Sequence, residues 1–353
     1  MRTTHLLRLR CGVTLVELMV ASAMCIMGMW LLTWLYQQGL ESFRQARAQA
    51  ELMAGERTVI TLLTRDLKQN MFLSEDNKPN QGRRLSDQTL GLLDGTYTSP
   101  QGGYFHARST RPGQTEAIDA EGFESVRCVD HYLAFTAILP GGANHQQFGA
   151  ELLPGGPQVF GTAAEILYFL VPSGQTPGGT PLFNLYRQQR LVANSTDDAT
   201  FFNRKIAGLL QTVGPLPLPD ARSALSESLA LKPLPSMEIA TLRDLANPTL
   251  RRLPYQPLAP TSFRYGEDLL MSNVLSFEVK FTGPRRVLGS NIEWPTPPER
   301  NTDYPYDFLP GDGEFDTQAN PVKPLRITGV QIRLRAYEPQ TRVTRQTTVV
   351  IDL

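Results

Sequence analysis

LRLRCGVTLVELMVASAMCIMGMWLLTWLY, residues 7–36, is the stretch that decides the fold. From Val13 to Tyr36, the one charged side chain is that of Glu17. As a helix, residues 13–36 extend for ~36 Å, whereas the hydrocarbon core of a bilayer is ~30 Å thick. We therefore predict that residues 13–36 form a helix that crosses a membrane.

The flanks of this apolar run predict its orientation. Arginines precede it and acidic residues do not, so the positive-inside rule keeps the N-terminus cytoplasmic and exports the rest of the chain. A secretory signal peptide fits less well because the run is long and no small-x-small cleavage site follows it. A lipoprotein signal fails because Cys11 follows LRLR instead of small apolar residues. A plain membrane anchor remains open, but it leaves Glu17 unexplained.

The helix is predicted to continue beyond the membrane, because residues 37–71 are rich in helix formers and no proline occurs in residues 1–78. Apolar residues recur there at helical spacing, as a helix packed on one side requires: Leu52, Val59, Leu62, Leu63 and Leu67. One helix over residues 13–71 follows. Its points of low helix propensity are Gly28, Gly39 and Gly55.

The segment CGVTLVELMVA, residues 11–21, resembles the N-terminal signature of type IV prepilins and pseudopilins. That signature is a short basic leader ending in Gly, an apolar residue that is usually Phe, then Thr-Leu-x-Glu and an apolar helix. The resemblance implies that a prepilin peptidase cuts between Gly12 and Val13 and N-methylates Val13. Val13 departs from the usual Phe, and Glu17 occupies the position of the family's glutamate.

A carboxylate in the apolar layer costs ~2.5–3.5 kcal/mol on insertion scales, so Glu17 needs a compensating cation. Cleavage after Gly12 would create an α-amine on Val13 at the same depth. In a fibre, Glu17 of one subunit would neutralise the amine of its neighbour, because a buried charge is costly when it is unpaired. Glu17 is therefore predicted to set the register of assembly. A snorkelling or protonated glutamate in a simple anchor is the alternative.

A second stretch, AGERTVITLLTRDLKQN at residues 54–70, is similar to the end of the long helix in J-type minor pseudopilins and W-type minor pilins. The matching positions are Arg57, Leu62, Arg65, Asp66, Leu67, Lys68 and Gln69. From the residues alone, Arg65, Asp66 and Lys68 are interpreted as a solvated helix face. Leu62 and Leu67 are interpreted as packing residues.

The rest of the chain predicts an exported β-rich body. Residues 73–125 are interpreted as mostly loop, and PSGQTPGGTP predicts the turn of a long hairpin. Alternating or apolar runs predict strands at 131–139, 164–171, 182–192, 273–281 and 329–337, with RVTRQTTVVIDL as a final partner strand. The fold class is α+β, a long N-terminal α-helix with an antiparallel β-sheet body. This is the pilin-like architecture that the resemblance implies.

The predicted organisation has four parts. They are a leader at 1–12, a transmembrane half-helix at 13–36, an exported amphipathic half at 37–71 and a periplasmic body at 72–353. The body contains a Pro-rich region at 209–262, with nine prolines between Pro215 and Pro260. This region is interpreted as an insertion that forms either a partner surface or a surface excursion.

Candidate sites in the body are few, and no common catalytic motif occurs, so we expect no enzymatic activity. Cys128 and His131 form CVDH, a weak signal for either zinc or a catalytic pair. An acidic cluster could supply oxygen ligands to calcium, or form a solvated turn: Asp307, Asp312, Glu314 and Asp316. A formal net charge of zero argues against nucleic-acid binding by bulk charge.

The resemblance implies a minor pseudopilin, a structural subunit near the tip of the type II secretion pseudopilus. Its expected partners are the prepilin peptidase, other major and minor pseudopilins or pilins, and the inner-membrane assembly platform. The expected location is the inner membrane with a periplasmic body, and then the assembled pseudopilus. A W-type minor pilin of a type IV pilus and a membrane-anchored binding or enzymatic β-domain are the alternatives.

Overall fold

The computed structural model describes residues 14–74, 82–87, 99–108, 114–118, 124–141, 146–152, 157–212, 225, 228–232, 237–251, 267–282, 314–318, 327 and 329–353. The chain divides into two compact units, residues 1–52 and 53–353. The first contains most of the N-terminal helix. The second, which we call the body, contains the end of that helix and the sheets.

The N-terminal helix α1 spans Leu15–Leu67 and is continuous through its three glycines. Its last part lies in the body, where Val59, Leu63 and Leu67 are buried at a spacing of four residues. This confirms the predicted amphipathic periodicity. The helix ends before Met71, whose backbone N–H instead donates to the Arg83 carbonyl oxygen at 2.8 Å.

The main sheet has eight strands, and every neighbouring pair is antiparallel. Its strands are β3 (Phe105–Arg108), β6 (Tyr132–Ile138), β9 (Ala163–Gln175), β10 (Pro181–Val192), β11 (Glu267–Thr282), β12 (Glu314–Asp316), β13 (Gly329–Glu338) and β14 (Val343–Asp352). Their order is β12-β3-β6-β9-β10-β11-β13-β14. The long helix and this sheet confirm the α+β class with a pilin-like architecture.

Three two-stranded ribbons and a second helix complete the described elements. The ribbons pair β1 (Phe72–Leu73) with β2 (Gly82–Arg83), β4 (Gln114–Ile118) with β5 (Glu124–Arg127), and β7 (Phe148–Glu151) with β8 (Gln158–Gly161). Helix α2 spans Thr196–Thr212, and short 3-10 turns cover Leu85–Asp87, Asp244–Ala246 and Pro248–Leu250.

The predicted strands agree with the sheet, except in the region first interpreted as loop. β9 and β10 form the predicted hairpin, and β14 pairs with β13 over ten residues as predicted. Residues 73–125 differ, because they contribute β3 to the main sheet, the ribbon strands β2 and β4, and parts of β1 and β5. These strands are short and lack a long alternating pattern, so sequence periodicity does not reveal them.

Part of the Pro-rich region 209–262 belongs to the core of the body. The Leu191 carbonyl oxygen accepts a hydrogen bond from the Ala230 N–H at 2.9 Å, and Ala193 exchanges hydrogen bonds with Ala240 and Leu242 at 3.0 Å. These backbone pairs seat the segment on the sheet. Residues of this segment and residues of the rest of the body form one buried cluster: Tyr104, Ala134, Leu167, Phe169, Val192, Ala230, Ala240, Leu242 and Leu245. The interpretation as a surface excursion is therefore wrong for the described residues 229–232 and 237–245.

Gly103 connects this segment to the sheet and has a left-handed φ of +82°. A Cβ there would overlap the Met71 carbonyl oxygen and lie 2.6 Å from Thr136 Oγ1. We expect Gly103→Ala to lower the free energy of unfolding by at least ~3 kcal/mol, because strain and a backbone clash add. Gly179 is a matched control, with a φ of +83° and nothing within 4 Å of its Cβ position.

Gly179→Ala should cost only ~1–2 kcal/mol, the penalty for the left-handed conformation itself. Urea unfolding of both variants, followed by far-UV circular dichroism, measures the difference. Equal losses in the two variants would contradict the close packing described at Gly103.

Candidate assembly site and its anchor in the body

The first turn of α1 is a reciprocal N-terminal cap. The Thr14 backbone N–H and hydroxyl both donate to Glu17 Oε2, at 2.9 Å and 3.0 Å. In return, the Glu17 N–H donates to the Thr14 hydroxyl oxygen at 3.3 Å. This arrangement satisfies backbone donors that a helix otherwise leaves unpaired at its start. Thr14 therefore holds the Glu17 carboxylate against the beginning of the helix.

From Leu18 to Tyr36 the helix is apolar on all sides. Its large apolar side chains are exposed throughout the first unit, including Trp30 at 70% and Tyr36 at 68%. A helix that is apolar all round normally lies in lipid or in a protein core. By length and composition, α1 can cross a membrane.

The structure describes Glu17 among the predicted assembly residues. Gly12 and Val13, the predicted cleavage pair, lie outside the described residues. The structure therefore gives the positions of the Glu17 carboxylate and its partner Thr14. The α-amine of Val13 is still only an expectation from the resemblance.

In the body, Asp66 anchors the end of α1 to the sheet. Its Oδ2 accepts from Arg187 Nε at 2.6 Å and from the Tyr168 hydroxyl at 2.7 Å. The Asp66 side chain has no exposed surface and that of Arg187 is only 4% exposed. The prediction that Asp66 lies on a solvated helix face is therefore wrong, although the neighbouring Arg65 is 56% exposed.

The electrostatics of this anchor keep the Arg187 guanidinium charged. Burial lowers the pKa of Arg187, but Asp66 and Tyr168 together outweigh burial, so the pKa lies above its ordinary value. Burial and the same carboxylate raise the pKa of Tyr168. The tyrosine hydroxyl therefore stays protonated and serves as a donor.

A second anchor joins α1 to the edge of the sheet. Glu56 is buried, and its Oε2 accepts from the Thr347 hydroxyl at 2.8 Å and from Arg345 Nε at 2.9 Å. Both partners belong to β14. Two buried carboxylates on α1 thus bind the centre and the edge of the same sheet.

The opposite face of the sheet holds a third buried carboxylate. Glu165 on β9 accepts from Arg190 Nε at 2.8 Å and from the Tyr104 hydroxyl. The Arg251 guanidinium lies over the Tyr104 ring, 4.1 Å from its centroid. Arg251 in turn binds Asp316 at 2.7 Å. This network connects β9, β10 and the Pro-rich segment, and sequence patterns gave no sign of it.

The predicted calcium residues are only partly described. Asp307 and Asp312 lie outside the described residues, and Glu314 lies in β12. The Asp316 carboxylate binds Arg251 and accepts from the Gln318 N–H at 2.9 Å. Within the described part of the chain, no three His, Cys, Asp or Glu side chains form a group suited to a metal ion.

Cys128 and His131 lie close to Glu278 on β11. Burial, and next the Glu278 carboxylate 3.7 Å from the sulfur, raise the pKa of the Cys128 thiol. His131 Nδ1 accepts the Val279 N–H at 3.2 Å, so its proton is on Nε2. A nucleophilic pair requires a thiolate and an available base. Here the thiol is protonated and one ring nitrogen is occupied by the backbone.

Burial lowers the pKa of His131 from its ordinary value of 6.5, against opposing effects of Glu278 and Asp130. The unfolded chain therefore binds more protons below pH ~6.5, and stability falls as pH decreases through that range. We expect the wild type to lose ~1 kcal/mol of unfolding free energy between pH 7.5 and 5.5. The loss is measured by urea unfolding at both pH values.

In the His131→Gln variant this pH dependence should largely disappear. His106→Gln is the control, because that ring is only half-buried and contacts the Tyr132 hydroxyl. If the pH dependence of stability survives in His131→Gln but vanishes in His106→Gln, then His106 causes it, and the prediction for His131 is wrong.

No protein-family model, curated protein or solved structure matches the chain.

Proposed function

We propose that this protein is a minor pseudopilin, a structural subunit near the tip of a type II secretion pseudopilus. One observation carries the proposal, and it is an order of features along the chain. A basic leader ends at Gly12, the motif Val13-Thr14-Leu15-x-Glu17 follows, and an apolar helix then leads into an antiparallel sheet. An anchor alone requires neither the glutamate nor the glycine. A chain that is cut by the peptidase and then assembled into a fibre requires both Gly12 and Glu17.

In this proposal the protein acts by shape and charge. The leader is removed after Gly12, and the new amine of Val13 lies near the Glu17 carboxylate of a neighbour. Both Thr14 hydrogen bonds go to Oε2 of Glu17, so its position is held before a neighbour arrives. Pairing the two charges removes the cost of leaving either one in hydrocarbon.

The remaining parts of the proposal follow from this assembly. The body lies in the periplasm and presents a surface to other minor subunits, and the protein performs no chemistry. The inner-membrane assembly platform and the prepilin peptidase are its transient partners. A W-type minor pilin would share all of these features and differ only in the machine that it serves.

The test is intact-mass analysis and N-terminal sequencing of the chain from membranes with and without the prepilin peptidase. We expect a mature chain that begins with N-methylated Val13 only when the peptidase is present. Glu17→Ala should still be cut but should be depleted from assembled periplasmic fibres, as measured by crosslinking to other subunits, whereas Glu41→Ala, on an exposed part of α1, should assemble normally. An uncut chain, or a cut after residue 36, would overturn the proposal.

A further inference from the structure

β14 is an edge strand with an unusually regular outer side. It pairs with β13 through ten consecutive residues without a bulge. Among the strands that the structure describes, none pairs with its other side. The strand therefore presents a row of backbone N–H and C=O groups over ~33 Å.

Proteins usually blunt such an edge, and β14 lacks most of the common devices, although it carries a charged side chain, Arg345, which binds Glu56 on α1. Short strands, bulges, prolines and lysines prevent an edge from pairing with other chains. Residues 343–352 contain no Pro, Gly or Lys and are rich in β-branched residues. The opposite edge strand, β12, is by contrast only three residues long.

The side chains of β14 indicate what the edge can hold. Val343 and Val350, near its two ends, remain 47% and 45% exposed. Arg342 and Asp352 are exposed just before and at the end of the strand. An antiparallel partner with a cation near its N-terminal end and an anion near its C-terminal end would meet opposite charges at both positions.

We propose that the outer edge of β14 binds an extended strand of a different subunit, which runs antiparallel to it and adds a ninth strand to the sheet. A row of backbone groups that no described strand pairs with is suited to an extended polypeptide, which can add to the sheet as a further strand. Self-pairing about a two-fold axis would point residues 53–67 of the two helices in opposite directions. The choice of a different subunit therefore rests on the proposed fibre, in which subunits point the same way.

A peptide with the sequence of residues 342–353, RVTRQTTVVIDL, is the probe, because its charges have the required order. Binding to the full-length chain in detergent micelles is measured by fluorescence anisotropy. The matched control is the same peptide with R342E and D352K, which places like charges at both ends. We expect saturable 1:1 binding that the control peptide weakens by ~10-fold.

Thr348→Pro and Val349→Pro locate the binding edge. N–H groups alternate in direction along a strand, so one of these prolines removes an outward donor and the other removes a donor to β13. The variant to be compared with the wild type is the one whose urea unfolding midpoint is unchanged, because its fold is intact. Its affinity for the peptide should fall by at least ~10-fold. Gln175→Ala, in the exposed part of β9, should bind as the wild type does.

Three results would overturn the proposal. They are no binding up to ~1 mM peptide, equal binding by the folded proline variant, and a wild-type chain that already dimerises through β14. Dimerisation through β14 would mean that a second copy of this chain, and not a different subunit, binds the edge. None of these measurements depends on cleavage after Gly12, so the proposed function and this interface fail separately.

Discussion

Asp66→Ala is expected to lower the free energy of unfolding of the body by ~3–5 kcal/mol, because it leaves the buried Arg187 guanidinium without its carboxylate. The Asp66 side chain is fully buried, and the Arg187 Nε–Oδ2 distance is 2.6 Å. The Tyr168 hydroxyl loses the same acceptor. Water cannot compensate either donor without opening the contact between α1 and the sheet.

The chain supplies a matched control for this prediction. Asp268 also lies near Arg187, at 3.9 Å from Nη1, but its side chain is 72% exposed. Asp268→Ala should therefore change stability by at most ~1 kcal/mol. Equilibrium urea unfolding of the full-length chain in detergent, followed by far-UV circular dichroism, compares the two variants.

A combined variant separates the charge from the packing. Asp66→Leu, Tyr168→Phe and Arg187→Met together replace the polar group with apolar side chains of similar size. We expect this variant to recover most of the loss, because a buried pair replaced as a whole is often neutral in stability. If Asp66→Ala and Asp268→Ala lose equal stability, the buried pair does not anchor α1.

Glu165→Ala is expected to cost a further ~3–5 kcal/mol of unfolding free energy on the other face of the sheet. The carboxylate is fully buried and binds Arg190 and the Tyr104 hydroxyl. Burial, and next the Glu165 charge, raise the pKa of Tyr104 well above its ordinary value. The phenol therefore remains a donor, and the variant removes the buried acceptor that the phenol and the guanidinium share.

Glu238→Ala is the control for Glu165, because the Glu238–Lys232 pair is 3.5 Å long and Glu238 is 59% exposed. We expect a change below ~1 kcal/mol. Glu165→Gln, which keeps the side-chain shape, should lie between the two. Thermal and urea unfolding on the same samples measure all three variants. If Glu165→Ala is as stable as Glu238→Ala, then the buried network around Glu165 does not stabilise the body, and the prediction is wrong.

Sequence periodicity predicted the elements whose cause is local. The 3.6-residue repeat of Val59, Leu63 and Leu67 predicts the packed side of α1, and the turn at 172–181 predicts the β9–β10 hairpin. Helix α2 was missed, although Ser195 caps it through the Asp198 N–H at 3.1 Å. A serine with aspartates two and three positions later, Ser195, Asp197 and Asp198, is the signal that would have found it.

The remaining errors arise from partners distant in sequence. Asp66 is a charged residue next to other charged residues, and Arg187 lies 121 positions away, so no local pattern reveals the pair. The burial of Ala230 and Leu242 similarly depends on strand residues 191–193. The candidate assembly site, in contrast, is a contiguous motif. The sequence alone therefore suffices to propose Glu17, whereas it gave no sign of the buried networks.

The contact between Glu56 and Thr347 has a consequence for how the protein is made. The two residues are 291 positions apart, so the ribosome completes β14 long after the helix has been synthesised. Until then the α1 carboxylate lacks its partners, and β13 is an open edge. Pairings of such long range form slowly and leave a nascent chain exposed to aggregation. Closure of the body is therefore one of its last folding events, and a chaperone that protects this protein must act until the final strand arrives.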